Sequence, residues 1–282
     1  MSINKKSLFK IFLHKIILKL FHNLRKKRFQ KTLESLYEYV RYGLNVGHIS
    51  SDPNKNGEKQ LIISLEKEFL KMGNKFPIIF DVGANKGDYT ALILEHIKNP
   101  QVFLFEPQKE LFNSLRFRYK SHKNVHIYNM GLSNQEKKTT LYKNESLSSL
   151  ASVYPRDLSQ IDLNMELNIK ENINLSTLDV FCKMKNINHI DFLKIDVEGH
   201  EYKVLEGGSS LFSSNSIDHI QFEGGCNVDS RTFFKDFFIF FKERNWNIFK
   251  IVINGTTPIE KYIASLEYCT YANYYCKNNT PK

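Results

Sequence analysis

The sequence predicts an α/β protein built on an open, mostly parallel β-sheet with helices on both faces. Two observations carry that reading. From about residue 76 short apolar runs alternate with helix-period segments, the signature of strand–helix–strand units. Several of those runs also end in an acid, Asp81, Glu106, Asp196 and Glu223, at the carboxyl edge where open α/β sheets bind ligands.

The apolar runs place strands at 78–82, 102–105, 125–129, 192–196, 219–222, 247–252 and 268–275, a seven-stranded sheet. Helices are expected at 88–97, 108–120, 177–185, 201–212 and 230–244, with Ser176 and Asp179 forming a capping box for the third. Between 144 and 172 the chain is polar, rich in serine and without a period, and reads as a long loop or lid over a pocket.

Three regions follow: a basic helix over 1–31, a helical cap over 32–75 broken near 50–57, and a catalytic domain over 76–282. The arm holds ten Lys and Arg, from Lys5 to Lys31, before the first acid at Glu34. Of the 40 basic residues, 30 therefore remain to face 30 Asp and Glu, so the body is formally neutral and no nucleic-acid groove is expected on it. Lys10, Lys15 and Lys19 interrupt the apolar run too often for a bilayer span. On a helical wheel Phe9, Phe12, Leu13, Ile16, Ile17, Leu20 and Leu24 form a broad face opposite Lys15 and Lys19, which fits a helix in a membrane interface, although Ile11 and Leu18 spoil a clean division. Packing on the body or on a second subunit is the alternative. Four cysteines without a Cys-x-x-Cys pair suggest neither a zinc site nor a disulfide scaffold, and a reducing, cytoplasmic setting with peripheral membrane contact is expected.

The stretch 78–90, IIFDVGANKGDYT, ends a strand in Asp81 and turns through Gly83 and Gly87 into a helix. A dinucleotide fingerprint would need glycine where Asn85 stands and one residue after Gly87, so a pyrophosphate nest is disfavoured. Asp81 suits instead the cationic methionine end of S-adenosylmethionine. Glu106, in FLFEP, stands where a ribose-binding acid is expected. Asn129, in NMGLS after the third strand, is expected near the adenine.

DVGANKGDYT, FEP, NLSTLD, FLKIDVEGHEYKVLEGG and IQFEGG resemble, in this order, the motifs of the FkbM family of S-adenosylmethionine-dependent methyltransferases over roughly 58–250. The resemblance implies a Rossmann-like class I methyltransferase fold, a seven-stranded, mostly parallel sheet with its last strand antiparallel, usually methylating a hydroxyl oxygen, often on a sugar. It implies cofactor contacts from Asp81, Gly83, Asn85, Gly87 and Glu106, and an acceptor side lined by Asp196, Glu198 and His200. The lysine-rich arm has no counterpart in the family pattern.

A hydroxyl becomes a good nucleophile only as its proton is taken, so a base within reach is expected. His200 is the first choice, its ordinary pKa lying near neutrality, with Asp196 orienting it or acting itself. The same residues could instead cap the helix that begins there. Asp196, Glu198 and Glu223 are also oxygen ligands of the kind Mg²⁺ prefers, but spacing does not establish convergence and metal-free catalysis is expected. The expected acceptor is a hydroxylated small molecule or glycan, including a lipid-linked one. A small-molecule or protein methyltransferase of the same fold, or a non-catalytic S-adenosylmethionine-binding protein, are the competing readings.

Overall fold

A computed structural model of the chain describes residues 5–47, 52–144, 151–155, 167–224, 230–268 and 271–280. The chain divides into two compact units, Met1–Leu44 and Asn45–Lys282. The first holds α1 (Lys5–Leu24) and α2 (Gln30–Gly43), joined through a short 3₁₀ turn at Lys27–Phe29.

In the second unit α3 (Glu58–Lys71) precedes an alternating series: β1 (Ile78–Val82), α4 (Asp88–His96), β2 (Gln101–Phe105), α5 (Lys109–Arg118) and β3 (Val125–Tyr128). A detour follows through β4 (Gly131–Leu132), β5 (Lys137–Lys143) and β6 (Ile169–Ser176). The series then resumes with α6 (Leu178–Lys185), β7 (Ile190–Ile195), α7 (Glu201–Glu206), α8 (Ser209–Ser213), β8 (Ile217–Gly224) and α9 (Phe234–Lys242), and closes with β9 (Trp246–Val252), β10 (Gly255–Pro258) and β11 (Ala272–Asn278).

The main sheet has the order β10-β9-β11-β8-β7-β1-β2-β3. Strands β3, β2, β1, β7 and β8 run parallel, while β11 runs against both of its neighbours. All seven expected strands are present; β10 adds an eighth as the return arm of a hairpin with β9. The alternation of side chains along each strand builds two cores. Phe80, Val82, Leu193, Ile195, Ile220 and Phe222 face α6, α8 and α9, whereas Ile79, Val102, Leu104 and Phe192 face α3, α4 and α5. Being covered on both faces, the central strands read as continuous apolar runs.

Two expectations about the third and fourth helices need correction. The cap of α6 is Thr177, whose hydroxyl accepts from the Val180 amide at 3.1 Å, not Ser176. Asp179 instead accepts from the Ser210 and Leu211 amides and so starts α8. That cap, with Gly207 pressed so closely on the Ser133 carbonyl that a Cβ would lie 2.0 Å from its oxygen, splits the single helix expected over 201–212 into α7 and α8.

The polar region was expected to be one long loop. Residues 169–176 are in fact strand β6, which pairs antiparallel with β5 and parallel with β4 in a separate three-stranded sheet. The small core Leu141, Ile173 and Leu175 lies on this sheet. Much of the expected lid, 145–150 and 156–166, falls outside the described residues. Cys182 and Cys276 are buried free thiols; Cys226 and Cys269 lie outside the described residues.

The ring of Phe181 on α6 lies among Phe80, Phe103, Phe105 and Tyr128, with centroids 4.7 to 6.3 Å away, and is fully buried. Phe181→Ala is expected to destabilise the second unit by about 3–5 kcal/mol, read as a shift in the urea midpoint at unchanged slope.

Candidate active site

At the carboxyl edge of β1, β2 and β7 a pocket encloses about 590 Å³, the open solvent at its mouth included. Val82, Gly83, Asn85, Phe105, Glu106, Gln108, Asp196, Glu198 and His200 line one side, and Leu141, Ala151, Val153, Ile173 and Leu175 cover it with an apolar roof. The three-stranded sheet, missed in the sequence, therefore supplies most of that roof.

Of the residues expected to hold cofactor, Gly83, Asn85 and Glu106 reach the pocket wall, whereas Asp81, Gly87 and Asn129 stand behind it. Gly83 has φ +84° and its Cα lies so close to the Asp196 carbonyl that a Cβ would meet the oxygen at 1.8 Å; only glycine fits. Gly87 begins α4 from the left-handed region, and a Cβ there would strike Leu115 and Tyr119. Asn129 donates to the Glu106 and Pro107 carbonyls at 3.1 and 2.8 Å and so holds the turn after β2, rather than facing a ligand.

Glu106 is 3% exposed. One carboxylate oxygen accepts from the Asn85 amide at 2.9 Å and the other from the Gln108 amide at 2.8 Å. Each keeps lone pairs for a further donor, which matches the paired hydroxyls of a ribose. Burial pushes this carboxyl up to about 7, against the opposing pull of the two amides.

Asp81 is completely buried. Its Oδ2 accepts from the Thr90 hydroxyl at 2.7 Å, and Oδ1, which has no hydrogen bond among the described residues, faces Lys194 Nζ at 3.5 Å. Lys194 is the neighbour of Asp81 in the register of β1 and β7 and reaches Asp196 at 3.2 Å. Burial alone would lower the lysine's pKa, but Asp196, Asp81 and Glu58 outweigh it and hold the ammonium firmly charged. Tyr89 lies under the same ammonium and donates to Gln221, which in turn donates to Glu58. None of Lys194, Thr90, Tyr89 or Glu58 was singled out from the sequence. A lone lysine inside the apolar run FLKID is a signal for a buried, paired charge.

The DVEGHE segment makes a tight turn between β7 and α7. Glu198 has φ +54° and Gly199 φ +98°, and the buried Glu201 carboxylate closes the turn by accepting from the Val197 and Gly199 amides. Burial raises Glu201 to about 7. Asp196, Glu198 and Glu223 each bring one oxygen within 4.8 Å of the others, a convergence that the spacing alone left open and that could hold a hard divalent cation. Burial and the neighbouring charges of Asp196 and Glu198 push Glu223 well above the usual carboxylate range.

His200 differs from the expected base. Its Nε2 meets the Ser133 hydroxyl and its Nδ1 the Tyr154 hydroxyl, both at 2.9 Å, while Asp196 is engaged by Lys194 and has no hydrogen bond to the ring. Burial, then Lys137 and Lys203, lower its pKa to about 4, so it is neutral and weakly basic at pH 7. The ring also borders a second groove, lined by the polar Asn134, Gln135, Lys137, Thr139, Tyr154 and Lys203 and by Val153 and Leu175, which it shares with the main pocket. Ser133 closes the NMGLS stretch, where only Asn129 was given a role, and Tyr154 lies in a stretch without a motif, so the sequence offered no route to their contact with His200.

A parallel sheet of this strand order, with its last strand inserted antiparallel, a glycine turn after β1 and a buried acid after β2, defines a class I S-adenosylmethionine-dependent methyltransferase. A profile of the methyltransferase FkbM domain matches residues 81–245, more than half of the chain, and the chain belongs to that family. Its cofactor is S-adenosylmethionine. No curated protein matches the chain. Similar solved structures include an S-adenosylmethionine-dependent O-methyltransferase from Thermotoga maritima, 11% identical (TM-score 0.38), covering 80% of this chain and 66% of that one. An rRNA methylase from Streptococcus thermophilus is 8% identical (TM-score 0.42), covering 79% and 95%. TrmK of M. capricolum, in complex with S-adenosylhomocysteine, is 11% identical (TM-score 0.40), covering 79% and 68%.

The pocket fits this cofactor: Glu106 offers a buried diol acceptor, and Gly83 lets the turn after β1 pack directly on the Asp196 carbonyl at the pocket wall. Ribose hydroxyls donate to the ionised form of Glu106, so binding lowers its pKa from about 7. Affinity for S-adenosylhomocysteine should therefore rise with pH through about 7, with proton release on binding near pH 6.5 in calorimetry across buffers of different ionisation enthalpy. Glu106→Gln should abolish the proton release and weaken binding roughly 10- to 100-fold. PH-independent binding would contradict the assignment.

Proposed function

We propose that this methyltransferase transfers the methyl group to a hydroxyl of a sugar or glycan. The observation that carries the reading is the second groove bordering His200, whose amides, hydroxyls and ammonium groups offer donors and acceptors suited to a polyhydroxylated acceptor. The formally neutral body, lacking the cationic excess of a phosphate-tracking surface, supports the same view.

S-adenosylmethionine supplies an electrophilic methyl on a sulfonium, whose departure as a neutral thioether needs no proton donor. The protein aligns the acceptor oxygen behind that methyl and removes the hydroxyl proton as the carbon–oxygen bond forms. Glu106 fixes the ribose, and Gly83 and Asn85 shape the backbone beside it. Asp81 acts from below, through Lys194, which sets the position of Asp196. Glu198 and Asp196 line the pocket, and together with Glu223 they form a carboxylate group that takes the proton. Within it, burial and the neighbouring charges of Asp196 and Glu198 hold the Glu223 proton above the ordinary carboxylate range. His200, neutral and with both ring nitrogens held by Ser133 and Tyr154, keeps Tyr154 in place on the wall of the groove that receives the acceptor.

With a sugar acceptor in hand, Glu198→Gln should lower kcat by about 10²- to 10⁴-fold with S-adenosylhomocysteine affinity retained. The rate should climb with pH on a limb above the usual carboxylate range, because the base must be ionised. His200→Ala should raise acceptor KM and leave that limb in place; its disappearance would return the base role to the histidine. Turnover should survive EDTA, and a loss restored by Mg²⁺ would make the acids a metal site. Products methylated on nitrogen or carbon would overturn the hydroxyl assignment.

A further inference from the structure

The functional site leaves one large feature unused: the first unit. Along α1 the side chains of Leu13, Ile16, Ile17 and Leu20 are all exposed, with Leu20 at 60%. They share one side of the helix, and Lys15 and Lys19 lie opposite. Helix α2 carries a similar apolar stripe. Leu36, Tyr37, Val40 and Leu44 recur at helical spacing and are exposed, with Tyr39 and Tyr42 exposed beside them. No helix of the described residues is long and apolar enough to cross a membrane.

We infer that α1 and α2 together form a docking surface for the face of an anionic phospholipid bilayer. Charge selects this occupant. Ten Lys and Arg without an acid before Glu34, four of them consecutive at Arg25–Arg28 between the two helices, complement a negatively charged surface. Lysines set among apolar side chains can bury their stems and keep the ammonium at the headgroups, so they suit an interface where they would obstruct a span. Exposed tyrosines on α2 match the same boundary, with an apolar ring and a polar tip. A second copy of this chain would carry the same excess of positive charge and repel it.

The test is co-sedimentation of the full chain with vesicles, comparing phosphatidylcholine alone with phosphatidylcholine containing about one-third phosphatidylglycerol. Binding to the anionic vesicles should be at least about tenfold tighter and weaken as salt rises. Leu13→Glu with Leu20→Glu should lower it about tenfold or more, as should Lys15→Gln with Lys19→Gln, while S-adenosylhomocysteine affinity is unchanged in both. Equal binding to neutral vesicles, no binding to either, or full binding by both variants would overturn the inference. So would light scattering in which the leucine variant turns a dimer into a monomer without any change in vesicle binding. Because cofactor affinity is read in parallel, failure here is separable from failure of the methyltransferase site.

Discussion

The site depends on one buried cation. Lys194 sits near the carboxyl end of a strand covered on both faces, where an unpaired ammonium would be very costly, and it is tolerated because Asp81 and Asp196 approach it within 3.5 and 3.2 Å. The parallel register of β1 and β7 sets Asp81 beside Lys194, so the pairing is fixed by backbone geometry before any side chain moves. Asp81 is locked to Thr90 of α4, and Glu58 of α3 reaches Gln221 of β8 in the same layer. One polar network thus ties two helices and three strands together directly beneath the pocket floor.

That network explains why the acids of the edge behave differently from one another. Asp81 and Asp196 share a cation. Glu223 has none among the described ion pairs and is pushed up by burial and its neighbours, while Glu201 spends its charge on two backbone amides in the DVEGHE turn. Catalytic edges are commonly built this way, with similar groups placed in unlike surroundings so that their proton affinities separate. His200 belongs to the structural half of this division, with both ring nitrogens committed to hydroxyls.

Much of the fold was legible because buried parallel strands and their helices write their periods into the sequence, and Asp81, Glu106 and Asp196 mark the strand ends. Gly83 and Gly87 were legible as a turn, since positive φ and close approach leave few other residues possible. The three-stranded sheet was not. β5 and β6 are half-exposed, with KKTTLYK and IKENINLS showing more lysine and asparagine than apolar alternation, so no strand was expected in either and the start of β6 was read as loop. Roles within the site were harder still. Asp81 looked like a ligand contact because it ends a strand, but its burial against Thr90 and Lys194 is a property of three segments far apart in sequence. Likewise His200 was read as a base from its ordinary pKa, whereas the packing of Ser133 and Tyr154 around it, which changes its surroundings, involves segments far apart in sequence.

The most direct measurement is made on Lys194→Met, which keeps the length of the side chain and removes the charge. Urea unfolding and S-adenosylhomocysteine calorimetry on this variant read the two consequences together. The account requires a loss of about 3–5 kcal/mol of stability, because Asp81 and Asp196 are left without their cation, and a loss of cofactor affinity in the fraction that remains folded. Wild-type stability together with wild-type affinity would contradict it, and the pocket floor would then have to be held by something other than this charge.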